Sequence, residues 1–198
     1  TLAGLQEVER GFRARAGFAD QPVHLGRQLG MDMRFAAAIN LFPGAARGKF
    51  GNAVLSGWPI ASAWAERLPW RREPRVLLGT TVQGPWGHLD FLVCHLGLHQ
   101  GERARQVEAI LAKARSLPGP VILTGDLNAG PDAPELAPLF AEWQEAQAVF
   151  GLDQPTFPPS GARIDYLFFP RSWRIIRTQV IPSPASDHWA LVGDAAPA

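Results

Sequence analysis

Short apolar runs that end on polar residues dominate the pattern of this chain. Residues 2–8 form one such run, closing on Gln6 and Glu7, which predicts a buried strand delivering polar groups to its end. Runs at 33–39, 52–55, 75–82 and 89–95 also predict strands, and the Gly-, Pro- and Arg-containing stretches 41–51 and 57–74 between them predict loops. Asp20 and Pro22 open a helix over 22–29 that Gly30 stops. The clearest helix covers 102–116: Val107, Ile110, Leu111 and Ala114 recur at helical spacing, while Arg103, Arg105, Lys113 and Arg115 fall mostly on the other faces. Pro118-Gly119-Pro120 ends it, and residues 121–124 resume as a fully buried strand. A shorter helix over 133–140, opened by Asp132 and Pro134, and strands at 164–169, 174–181 and 189–192 complete the pattern. Strand runs with a few interspersed helices imply a layered α/β sandwich with helices on the outer faces of the sheets.

The chain has 198 residues, 46% hydrophobic, which suits one domain burying roughly 70% of the surface its unfolded form exposes. Nineteen basic against 18 acidic side chains leave a net charge of +1 and no long-range field to collect a polyanion. A single Cys excludes an internal disulfide and a Cys-based metal site, so carboxylates, Asn and five His remain as possible ligands. The compartment stays open, since absence of disulfides is compatible with the cytosol without proving it. No apolar run approaches the roughly 20 residues of a membrane-spanning helix, and nothing suggests more than a monomer.

The polar residues that interrupt apolar strands change this picture. Leu5-Gln6-Glu7, Gly125-Asp126-Leu127-Asn128 and Ser186-Asp187-His188 each adjoin an apolar run, and Asp165 and His95 stand within otherwise apolar strands. Buried charges are costly unless paired or bound to a cation, so the recurrence asks for one explanation. Asp126 and Asn128, two apart in an extended segment, face the same way, and Gly125 allows close backbone approach. Glu7, Asp126, Asn128 and Asp187 form a hard all-oxygen set suited to Mg²⁺ or Mn²⁺. Asp165 and His188 make an oriented imidazole, and the combination belongs to phosphate-ester hydrolysis.

Leu5-Gln6-Glu7-Val8, Gly51-Asn52-Ala53-Val54-Leu55-Ser56, Cys94-His95-Leu96, Gly125-Asp126-Leu127-Asn128, Arg163-Ile164-Asp165-Tyr166 and Ser186-Asp187-His188 follow one another in an order that resembles the endonuclease/exonuclease/phosphatase superfamily. This is the deoxyribonuclease I-like group, and the likeness spans residues 2 to about 192. It implies two packed mixed sheets flanked by helices, a four-layer α/β/β/α sandwich with its site at one end. It further implies that Glu7 binds the divalent metal, Asp126 orients or deprotonates the attacking water, and Asn128 contacts the phosphate and the metal shell. Asp187 is implied beside the metal, His188 held by Asp165 as phosphate ligand and proton carrier, and His95 as a second imidazole with Glu73 as its carboxylate partner. The same likeness expects an Asn-bearing strand and a helix before Gln6-Glu7, so residues 1–198 read as one domain lacking roughly 30 to 40 residues at its start.

Plainer readings exist for these residues. Glu7 also suits a surface ion pair, Asp126 and Asn128 an Asx-type turn with Gly130 and Pro131, and His95 a hydrogen-bonded core position. Cys94 should point away from His95 into packing, and His24, His88 and His99 should lie at the surface. Arg67, Arg71, Arg72 and Arg75 around Trp70 suit either phosphate contact with base stacking or a solvated hairpin. Trp58, Trp64 and Trp86, placed in predicted loops, suit a cleft lining or an edge cover.

The function expected is a Mg²⁺- or Mn²⁺-dependent phosphodiesterase or nuclease acting through an activated water. Its substrate is a phosphodiester, nucleic acid or a small or lipid-derived one, the near-neutral charge leaning toward the latter. The alternatives are a non-catalytic binding module on the same fold and a phosphomonoesterase on a sugar or inositol phosphate.

Overall fold

The computed structural model describes residues 1–13, 17 and 19–198. Its elements run β1 (Leu2–Arg10), α1 (Gln21–Leu29), β2 (Asp32–Asn40), β3 (Lys49–Ser56), β4 (Ile60–Leu68), β5 (Arg75–Gly84), β6 (Gly87–His95), α2 (Gln100–Arg115), β7 (Val121–Asp126), α3 (Ala137–Glu142), β8 (Gln144–Glu145), α4 (Ala146–Val149), β9 (Asp165–Phe169), β10 (Trp173–Ile181) and β11 (Ala190–Pro197). A 3₁₀ turn at Pro134–Leu136 leads into α3. The six-stranded sheet has the order β4-β5-β6-β7-β9-β8, the three-stranded sheet the order β1-β3-β2, and β10 pairs with β11 alone.

The strand period explains how these layers stack. On β6, Leu89, Phe91 and Val93 enter one hydrophobic cluster with Ala36, Val54 and Trp173, whereas Leu92 and Cys94 enter another with α2. Alternate residues of a strand face opposite sides, so the six-stranded sheet is covered on both faces, which is why its central strands read as continuous apolar runs. Helix α2 packs Val107, Ile110, Leu111 and Ala114 on one face, and β1–β3 lie toward the other, with α1 against them. The result is two packed sheets with helices outside, as expected.

Local signals act as the sequence suggests at α1: the Asp20 carboxylate accepts from the Val23 N–H, and Gly30 closes the helix in a left-handed conformation with φ 63°. Three expectations are corrected. The stretch 57–74 contains β4, whose interior from Ala61 to Arg67 is exposed or half-exposed, because it is an edge strand held by backbone pairing to β5 and has no apolar alternation to display. Arg103 is not on a solvent face of α2; it is buried and donates through Nε to Glu135 at 2.8 Å. The stretch 133–140 is a 3₁₀ turn followed by α3. Trp58, Trp86 and Trp173 form an edge-to-face chain beside the inter-sheet cluster, against which Trp58 and Trp86 pack. Trp64 packs on the other cluster under the Lys113 ammonium at 4.4 Å, whereas Trp70, in the β4–β5 connection, stays 50% exposed. Cys94 is fully buried in packing, and His24, His88 and His99 are exposed. No helix among the described residues is long and apolar enough to cross a membrane.

Candidate active site

The face of β6 that carries Leu89, Phe91 and Val93 into the inter-sheet space next presents His95, and the face of β7 that carries Ile122 next presents Thr124 and Asp126. The strands β6 and β7 are parallel with His95 opposite Asp126, and β7 and β9 are antiparallel with Asp126 opposite Asp165. His95, Asp126 and Asp165 therefore occupy one rung across three strands. Cross-strand partners share a face, so pairing alone gathers them at the carboxyl ends of β6 and β7. Gly125 makes this rung possible: a Cβ there would sit 2.1 Å from the Cys94 carbonyl oxygen.

Asp126 is buried, and its Oδ2 lies 3.3 Å from His95 Nε2 and 4.0 Å from His188 Nε2. Its Oδ1 accepts the Asn128 N–H at 2.8 Å, the Asx-type turn the sequence allows. Burial works against its charge, but the hydrogen bond from His95, followed by the Asn128 N–H and His188, outweighs it and holds the carboxyl below its ordinary range. His188 lies outside β11, and its Nδ1 is 2.8 Å from Asp165 Oδ2, which raises its pKa against the opposing effect of partial burial. Thr156 aligns this pair. Its buried Oγ1 accepts from the N–H groups of Ile164 (3.1 Å) and Asp165 (3.0 Å), and its carbonyl accepts from Trp189 N–H (2.7 Å). Asn128 donates through Nδ2 to the Leu96 carbonyl at 2.9 Å, which leaves Oδ1 as its acceptor.

Glu7 sits where β1 bulges. The pairing of β1 with β3 runs Leu5 to Ala53, then jumps to Val8 opposite Gly51, so Gln6 and Glu7 together face Asn52. Asn52 is buried and donates to the carbonyls of Val76 at 2.8 Å and Val93 at 3.4 Å, tying the bulge to the strands that bear Arg75 and His95. Among the described residues, Glu7 and Asn128 are the non-glycine residues with left-handed backbone, at φ 57° and 50°. Asn tolerates that region; Glu does so at a cost that functional sites commonly carry. Glu7 and Asp187 are exposed and belong to no cluster of three metal-ligating side chains among the described residues, where the one such group is Asp126, Asp165 and His188. Because Asp165 is committed to His188, Asp126 is the carboxylate of that group left for a cation. The Glu7 carboxylate, paired with no cation among the described residues, is chemically suited to be another. Oxygen donors of this kind fit a hard divalent ion.

Sequence reasoning missed Arg75, Thr156 and the inter-sheet role of Asn52. Glu73 does not contact His95 directly; it ion-pairs with Arg75 at 2.7 Å, and Arg75 Nη1 lies 3.1 Å from His95 Nδ1.

With this geometry in hand, residues 2–188 match the Endonuclease/Exonuclease/phosphatase family. The chain belongs to that family. Members are typically phosphoesterase hydrolases, among them metal-dependent phosphodiesterases, nucleases and phosphatases, and the family is generally dependent on a divalent metal. A comparison with curated proteins returns no match. Among solved structures, an endonuclease/exonuclease/phosphatase from Beutenbergia cavernae DSM 12333 aligns at 23% identity and TM-score 0.78 over 99% of this chain, which spans 62% of that protein's length. D. rerio TDP2 complexed with a single-strand DNA product aligns at 19% and 0.74, covering 98% of this chain and 85% of that one. The Bacteroides thetaiotaomicron VPI-5482 mannosyl-6-phosphatase Bt3783 aligns at 16% and 0.70, covering 89% and 81%. At these identities the likeness concerns the fold.

Proposed function

We propose that the protein hydrolyses a phosphodiester by in-line attack of a water molecule in the presence of Mg²⁺ or Mn²⁺. The supporting observation is the rung of His95, Asp126 and Asp165 with His188 docked on it, two carboxylates and two imidazoles converging at one strand end. Glu7, Asp126, Asn128 and Asp187 are the residues that would hold the divalent ion, which would supply charge neutralisation at the phosphoryl oxygens and a more acidic water. As the water oxygen bonds to phosphorus and the ester P–O bond breaks, Asp126 orients the water and accepts its proton. His188, held through Nδ1 by Asp165, carries a proton at Nε2 that can pass to the departing oxygen. Asn128 and His95 contact phosphate oxygens. The DNA product bound by the TDP2 relative supports a diester as substrate, while the net charge of +1 favours a small or lipid-derived one.

The test is hydrolysis of bis(p-nitrophenyl) phosphate with added Mg²⁺ or Mn²⁺ by the wild type, Asp126→Ala and His188→Ala. Each variant should lose roughly 10²- to 10⁴-fold in kcat; equal rates in all three proteins would overturn the proposal. Phosphate release from monoesters exceeding diester cleavage would reassign the enzyme to monoesters. Calorimetric uptake of Mn²⁺ that weakens in Glu7→Gln argues against a non-catalytic module.

A further inference from the structure

Arg75 opens β5, and its side chain is 7% exposed. Its Nη1 approaches both Glu73 Oε1, at 2.7 Å, and His95 Nδ1, at 3.1 Å, while its buried Nε has no hydrogen-bond partner among the described residues. A guanidinium has five N–H donors and no acceptor, and it stays protonated throughout the working range. An imidazole nitrogen at hydrogen-bond distance from it must therefore supply a lone pair. That places the ring proton of His95 on Nε2, which lies 3.3 Å from Asp126 Oδ2. The second imidazole is set the other way: His188 Nδ1, 2.8 Å from the Asp165 carboxylate, carries a proton. Two rings flank the same carboxylate, one oriented by an arginine and one by an aspartate.

We infer that Arg75 is a positioning residue that locks His95 in the Nε2–H tautomer, so that His95 serves as a fixed hydrogen-bond donor and the proton-carrying role falls to His188 alone. The inference rests on the phosphoesterase reading for its catalytic consequence but not for the tautomer. With Nε2–H fixed, His95 donates to Asp126 in the resting site and to a phosphate oxygen when one arrives. With Nδ1 facing a cation, the ring has no carboxylate on that side to support an imidazolium. Glu73, 47% exposed, offsets the charge of Arg75 without touching His95.

The experiment is ¹⁵N NMR of histidine-labelled wild type, Arg75→Met, Arg75→Lys and Glu73→Gln, with the His95 ring assigned by His95→Gln, alongside kinetics on bis(p-nitrophenyl) phosphate. Wild type and Glu73→Gln should show a pyridine-like Nδ1 and a pyrrole-like Nε2 at His95. Arg75→Met should lose that preference and about 10- to 100-fold in kcat at nearly constant KM, the size of a lost charged hydrogen bond; Arg75→Lys should recover part of both. A protonated Nδ1 on wild-type His95 would overturn the inference, whatever the Arg75 variants do. An unchanged tautomer and kcat in Arg75→Met would overturn it equally. Wild type with the expected His95 tautomer but no hydrolysis of any phosphoester would reject the functional reading and leave the Arg75 lock standing.

Discussion

Replacing Thr156 by Val keeps the shape of a fully buried side chain and removes one oxygen. That oxygen accepts two hydrogen bonds, from Ile164 N–H at 3.1 Å and Asp165 N–H at 3.0 Å, so a single deletion orphans two backbone donors. A buried donor left without a partner costs about 1–3 kcal/mol, because it has given up water without compensation. Two such groups give about 2–6 kcal/mol. Since Ile164 and Asp165 are only part-buried, water can reach some of that polarity, and the lower end of that range, about 2–3 kcal/mol, is expected. At about 2–4 °C per kcal/mol for a chain of this size, Tm should fall by about 4–12 °C. Thr156→Ser, which keeps the acceptor, should recover most of it. The loss should also reach the site, because the same residue holds Asp165 by its side chain and Trp189, next to His188, by its carbonyl at 2.7 Å. Urea unfolding of the three proteins, with the midpoint read at constant slope, measures the first effect, and the His188 ring resonances report the second. A Thr156→Val protein within about 0.5 kcal/mol of wild type, with His188 unmoved, would refute the reasoning, since substitutions away from such features stay within that range.

Two further outcomes follow from the same geometry. Gly125→Ala drives a Cβ to 2.1 Å from the Cys94 carbonyl oxygen, a backbone atom that cannot step aside without breaking the β6–β7 register; thermal melts should show destabilisation of at least about 1–3 kcal/mol, the usual range for overpacking, and a melt like that of wild type would show that the rung is looser than drawn. The pKa of His188 is raised above the ordinary 6.5, chiefly by its hydrogen bond to Asp165, so in metal-free protein the stabilisation from this pair is fully present below about pH 6.5 and is lost as pH rises through the raised value. Denaturant titrations across neutral pH in the presence of a chelator should show that decline in wild type and not in Asp165→Asn; identical profiles would remove the pair from the account.

Much of the chemistry was legible in the chain because polar residues at the ends of apolar runs are costly and therefore informative. Asp126, Asp165, His95 and His188 each stood out on that ground, and the structure brings all four within one small space. Arg75 did not stand out. It belongs to a stretch of arginines around Trp70 that reads equally well as solvated hairpin, and only burial separates it from Arg71 and Arg72, which are exposed. Thr156 lies within the proline-rich approach to β9 and carries no charge, so nothing in its neighbourhood announces that two amides converge on it. The edge strand β4 escaped for a related reason: its stability comes from pairing with β5, and backbone hydrogen bonds leave no mark on residue type.

By itself, the sequence determined the central strands of the doubly covered sheet, the approximate extents of α1 and α2, and which side chains must find polar partners, because period, caps and desolvation cost are properties of short stretches. Register and partnership were decided only by the tertiary structure. That His95, Asp126 and Asp165 share a rung depends on a parallel pairing and an antiparallel one meeting on β7, and that His95 faces an arginine while His188 faces an aspartate depends on contacts between residues 20 and 23 positions apart. Local physics assigns each residue a need; only the packing of distant strands determines what meets it.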